Sequence, residues 1–162
     1  MSDAEKEWQY WLNAASAAEA FERSLPELRR DRSAVLGSAR VALAGFDTRR
    51  EALFIIGSLN TDFTSALVDE LLVVALSDRD TLRVRNLFGR LPYAEAEEVL
   101  PNAVWNLLEK ENDGDAYRRM AELLQHLGLH VALRALCARA RDHVDADVRE
   151  VAQDFGGSPG DE

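Results

Sequence analysis

The feature that most constrains this chain is a phrase that returns four times. Asp47, Asp80, Asp115 and Asp147 are followed, two or three residues on, by Arg49, Arg83, Arg118 and Arg149. Three residues beyond each Arg stands a small or short side chain, Ala52, Asn86, Ala121 or Ala152, at intervals of 34, 35 and 31 residues. Gly57, Gly89, Gly128 and Gly156 end or interrupt the units. A unit returning at such a period marks a solenoid, because each copy buries its apolar face only against its neighbours. The Asp is expected to cap the free amides of a short helix. The small residue lets a second helix approach, and the Gly closes the helix with a positive φ. An Arg in the first turn opposes its own helix dipole, so it is expected to reach an Asp or a carbonyl of an adjacent unit.

Helical periodicity dominates the rest of the chain, and no period-2 strand stands out. Ser2 and Glu5 form a capping box for a helix whose stripe is Trp8, Trp11, Leu12, Ala15, Ala18 and Phe21. Leu25-Pro26 is expected to break it. A second stripe follows at Leu28, Val35, Ala39, Ala42 and Phe46. Helices are then expected over 47–59, 63–76, 80–91, 93–111, 115–128, 130–144 and 147–155. The 63–76 run is apolar on nearly every side except Asp69 and Glu70, which predicts a helix held between neighbours. Pro101 predicts a kink or a split in the 93–111 run. The expected fold is an all-α, short solenoid: an N-terminal capping helix over 1–25, about four helical hairpins over 26–155 and a disordered tail over 156–162.

At this point the sequence resembles the HEAT-repeat family, on "DADVREVAQDFG" (145–156), where Asp147, Val148, Arg149, Ala152, Phe155 and Gly156 match its pattern. Pro101 fits that family's habit of a kinking Pro in the first helix of a unit. The other three copies depart from it, since none has Val immediately before the Arg, and Asn86 stands where a small Ala is expected. The resemblance implies hairpins of helices A and B over about residues 26 to 156. It also implies a ladder of Asp and Arg linking successive units, and B helices lining the concave surface.

The chain has 162 residues, enough for one domain burying roughly 70% of its unfolded surface. Its one cysteine, Cys137, admits no internal disulfide and reads as a core thiol in a reducing compartment. The N-terminal residues lack the basic-then-apolar pattern of a signal peptide. The longest apolar run, "LLVVAL" (71–76), is too short to span a bilayer. A cytoplasmic location without membrane association is expected. The net charge of −10 opposes loose binding to nucleic acid. Of the 19 cations only Lys6 and Lys110 are lysine; arginine favours oriented pairing with carboxylate or phosphate, but a coding bias toward Ala and Arg accounts for most of the excess.

No reaction is legible. His126 and His130 stand four apart but are separated by Gly128 at a helix end, so they are expected to diverge rather than bind zinc. His143, beside Asp142, is expected to be a solvated histidine at a helix terminus. Glu97-Glu98 and Asp69-Glu70 are adjacent rather than facing, which makes poor acid/base pairs. "NDGD" (112–115) lacks the spaced acidic ladder of a calcium loop, and no phosphate-binding glycine loop or nucleophile motif occurs. No cofactor or metal site is assigned. Trp8, Tyr10 and Trp11 read as a cap over the first repeat, against the alternative of a partner-binding anchor.

Charge separates by helix. The longer helices carry Asp69, Glu70, Glu95, Glu97, Glu98, Glu109 and Glu111, while the shorter ones carry arginine. The expectation is a non-catalytic interaction module, a scaffold, adaptor or immunity-type inhibitor existing as a monomer or weak homodimer. Another protein is then held on the B-helix surface by Arg49, Arg50, Arg83, Arg85, Arg118, Arg119, Glu122 and Arg149. Arg118 and Arg119 are adjacent, so at least one of them is expected to face outward. The alternative is a nucleic-acid binder similar in architecture to the HEAT-like alkylpurine DNA glycosylases.

Overall fold

A computed structural model describes residues 3–157, with side chains from Glu5 onward. Ser2 of the expected capping box and residues 158–162 of the expected tail lie outside the described residues. Ten helices and no strand are found among the described residues. They are α1 (Asp3–Arg30), α2 (Arg32–Ala44), α3 (Arg49–Ser58), α4 (Thr61–Ala66), α5 (Val68–Ala75), α6 (Thr81–Phe88), α7 (Tyr93–Leu108), α8 (Gly114–His126), α9 (His130–Arg141) and α10 (Ala146–Phe155). None is long and apolar enough to cross a membrane.

Several boundaries differ from the sequence reading. Helix α1 runs through Pro26 to Arg30, and Pro101 lies inside an unbroken α7. A helical proline leaves the carbonyl four residues earlier without a donor. Here those carbonyls belong to Glu22 and Glu97, both exposed, so water can serve them. The 63–76 run is two helices rather than one, divided at Leu67 (φ −114°, ψ 18°).

The capping assignment is corrected by two residues in the later units. Asp113 accepts from the Ala116 amide at 2.9 Å and Asp145 from the Asp147 amide at 2.9 Å. Both have the extended backbone of an N-cap, whereas Asp115 and Asp147 already sit in the first turn, where they only complement the dipole. In the earlier units neither Asp47 nor Asp80 caps with its side chain. Thr48 and Thr81 instead donate back to the Ala42 and Ala75 carbonyls at 2.8 and 2.9 Å, tying each helix start to the helix before it.

Of the four glycines expected as stops, only Gly128 uses the left-handed region, at φ +69°. Its amide donates to the Gln125 carbonyl and that of Leu129 to Leu124, at 3.1 and 2.9 Å, which satisfies two carbonyls at the end of α8. Gly57 lies inside α3, while Gly89 and Gly156 end their helices with negative φ.

The core is one continuous cluster in which each helix packs mainly on elements close in sequence. Helix α2 lies on α3 and α5, α5 on α6 and α7, α8 on α9 and α10, and α9 on α10. Leu71, Leu72, Val74 and Ala75 of α5 are all buried, as its nearly all-round apolar pattern requires. Ala52, Ala121 and Ala152 are buried at helix contacts, but Asn86 is exposed and takes no part. Cutting Leu72 to Ala removes a fully buried side chain and costs about 2–5 kcal/mol.

Helix α1 behaves differently. Every residue from Glu5 to Ala20 is exposed, and contact with the body is made through Phe21, Leu25 and Leu28. Trp8 and Trp11 are 64% and 67% exposed, so they do not cover the first hairpin. Among the described residues, the Trp8, Trp11, Leu12, Ala15 and Ala18 part of the stripe stays exposed, and only its end at Phe21 packs on the body.

Candidate interaction surface

Most of the arginines marked out by the sequence are already engaged by other groups of this chain. Arg49 Nε donates to the Leu43 carbonyl at 2.9 Å, and its Nη1 lies 3.8 Å from Asp80 of the next unit. Arg83 approaches the same carboxylate at 3.6 Å. This is one rung of the expected ladder. The equivalent rungs, Arg83 to Asp115 and Arg118 to Asp147, are not among the ion pairs of the described residues.

Arg118 instead pairs with Asp154 at 2.7 Å and with Glu150 at 3.9 Å, both on α10. The hydrogen bond that Arg118 donates to Asp154 raises its pKa above the ordinary guanidinium value, against a smaller opposing effect of burial. Arg119 pairs with Asp78 in the turn before α6, and Arg85 with Glu122 of α8. Both arginines of the adjacent pair are half-buried and ion-paired. Arg149 donates to the His143 and Val144 carbonyls at 2.7 and 2.9 Å, the end of the helix preceding its own. Arg50 is exposed, and Arg83 is nearly half exposed on α6.

The acid-against-base division by helix type also softens, because α2 carries its own linking cations. Arg32 pairs with Asp62 at 3.2 Å and Arg40 with Glu70 at 2.6 Å. Arg90 donates to the Gly57 carbonyl, and Ser65 to Glu95. Among the described residues, every side-chain hydrogen bond longer than six residues in sequence spans between 26 and 41 positions.

Two exposed apolar side chains accompany the accessible cations, and the sequence reading passed over both. Phe54 of α3 is 65% exposed and lies one turn from Arg50, while Leu82 of α6 is 70% exposed beside Arg83. Their signal was present as Phe54 four residues after Arg50, a spacing that puts the two on one helix face. Helices α3 and α6, which carry these residues, touch.

The three histidines lie at helix ends or in a turn. His126 ends α8 and His130 begins α9, on either side of Gly128. His143 is half-buried rather than solvated. Its Nδ1 accepts from the Asp145 amide at 3.1 Å, which leaves Nε2 to donate to Asn112 at 3.0 Å. Cys137 is buried in α9, and that burial pushes its thiol pKa up. Among the described residues no group of three His, Cys, Asp or Glu is placed to hold a metal ion.

No family model, no curated protein sequence and no solved structure matches this chain.

Proposed function

We propose that the chain is a short HEAT-like solenoid of four hairpins, α2 with α3, α4 and α5 with α6, α7 with α8, and α9 with α10, serving as a non-catalytic protein-interaction module. The observation that carries this reading is the span of the long-range side-chain bonds. Each links elements one hairpin apart, as Arg49 does to Asp80, Arg118 to Asp154 and Asn112 to His143. Nearest-neighbour bonding of this kind is what stacked repeats require.

The binding surface is the B-helix side around α3 and α6, where Arg50, Arg83, Phe54 and Leu82 are open. A cation next to an exposed apolar group suits an acidic protein segment that also carries an apolar side chain. The net charge of −10 opposes a phosphate backbone, which supports a protein partner over a nucleic acid. The test is affinity capture from the native host with wild type and the Arg50→Glu/Arg83→Glu variant. A partner held by wild type and lost by a variant of unchanged melting temperature is the expected result. Retention of every partner by the variant refutes this surface.

A further inference from the structure

We propose that α1 is a dimerisation arm that pairs antiparallel with α1 of a second copy. This does not rest on the B-helix reading, although the two surfaces share Phe54. The arm is exposed on every residue from Glu5 to Ala20, about 24 Å of helix at 1.5 Å per residue. That length can hold two bodies apart while the arms lie side by side. Along it Trp8, Trp11, Ala15 and Ala18 follow one another at alternating spacings of three and four, the seam of a two-helix pair.

The order of sizes along that seam selects the occupant. Large side chains fill its first half and alanines its second. A two-fold axis near Asn13 sets Trp8 of each copy against Ala18 of the other, and Trp11 against Ala15. A self-complementary patch of this kind is what an isologous dimer needs. A parallel pair would instead set tryptophan on tryptophan and alanine on alanine. That alternative crowds one end of the seam and leaves the other loose.

The body supplies a receptacle where the antiparallel register needs one. An open, mostly apolar cleft of about 620 Å³, lined by Ala17, Ala18, Phe21, Leu25 and Phe54 with Glu22 and Ser58, lies beside Ala18. Phe21 and Phe54 form its wall, with ring centroids 5.2 Å apart. It is large enough for the indole of the second copy's Trp8. Two tryptophans and a leucine from each copy cover about 800 Å² together, taking about 150–250 Å² per aromatic, and the alanine seam with the cleft carries the pair toward the roughly 1,200 Å² of specific interfaces.

Sedimentation of the full chain over a range of concentrations tests this. The expected mass moves from that of one chain toward that of two as concentration rises, and stays at one chain in Trp8→Ala/Trp11→Ala and, separately, in Ala18→Glu. Both variants should keep the wild-type melting temperature measured at the lowest concentration, since residues 5–20 do not pack on the body. Register is read by disulfide formation in a Cys137→Ser background. Chains with Trp8→Cys cross-link to chains with Ala18→Cys, whereas Trp8→Cys alone stays uncross-linked. A single-chain mass at all concentrations, a dimer indifferent to the Trp and Ala18 changes, or cross-linking of Trp8→Cys to itself would each overturn the proposal. So would a single-chain mass accompanied by capture of the arm on lipid vesicles.

Discussion

Arg49 Nη1 lies 3.8 Å from Oδ2 of Asp80, joining two successive units through a guanidinium that is 18% exposed and a carboxylate that is 3% exposed. Arg83 reaches the other oxygen of that carboxylate at 3.6 Å, a separation at which charge acts but no hydrogen bond forms. Asp80 Oδ1 accordingly has no hydrogen-bond partner among the described residues. Breaking a buried pair from one side leaves an uncompensated charge. Asp80→Ala should lower the urea unfolding free energy by about 3 kcal/mol, the low end of the roughly 3–5 kcal/mol for breaking a buried pair, because Arg49 keeps its bond to the Leu43 carbonyl. The double variant Arg49→Met/Asp80→Leu should lose less than the two single changes together. Additive losses would show that the two residues are not coupled.

Capping is assigned to Asp145, one residue outside α10, rather than to Asp147. Asp145→Ala should cost about 1 kcal/mol, and Asp147→Ala only a few tenths through the dipole. Thermal melts of the two variants decide the matter. A larger loss at Asp147 would return the cap to the position the repeat spacing suggests.

Two glycines respond in opposite directions. Gly37 lies within α2, and a Cβ there meets nothing within 4 Å, so Gly37→Ala should stabilise by about 0.5–1 kcal/mol through helix propensity. Gly128 holds φ +69°, which a side chain resists, so Gly128→Ala should destabilise by about 1 kcal/mol. Equilibrium unfolding of both variants checks the pair, and equal signs would contradict the assigned backbone at α8.

Burial raises the pKa of the Cys137 thiol, with the Arg141 charge opposing it more weakly. A group whose native pKa is raised contributes stability that is fully present below the unfolded pKa, about 8.5 for a thiol, and is lost as pH rises through the native value. The native protein should therefore resist alkylation at mildly alkaline pH, while urea-unfolded chain reacts readily. Its stability should fall more steeply above about pH 8.5 than that of a Cys137→Ala variant. Rapid alkylation of native protein would contradict the burial.

The helical content was legible because the apolar spacing of 3.6 persists through almost every element. Leu67 was not, since no Pro or Gly marks the break between α4 and α5. Asp147 was misread as a cap because acidic residues stand both there and at Asp145, and spacing alone does not say which lies one step outside the helix. Of Arg118 and Arg119, at least one was expected to face outward, and their ion pairs were not foreseen. Their partners, Asp154 and Asp78, lie 36 and 41 residues away, and only the stacking of helices brings them close. Helix α1 carried a clear stripe at Trp8, Trp11, Ala15 and Ala18. Periodicity shows that such a face will be covered, but not whether its own body or another molecule covers it.

Residue-resolved hydrogen exchange on the Val151→Ala variant tests the linear array most directly. Val151 is fully buried between α10 and its neighbours, and its truncation loosens the last unit. In a stack of nearest-neighbour repeats, protection should drop in α8, α9 and α10 while amides in α2 and α3 exchange as in wild type. An equal loss of protection in α2, α3 and α10 would mean that the chain unfolds as one undivided bundle, and would contradict the solenoid on which the functional reading rests.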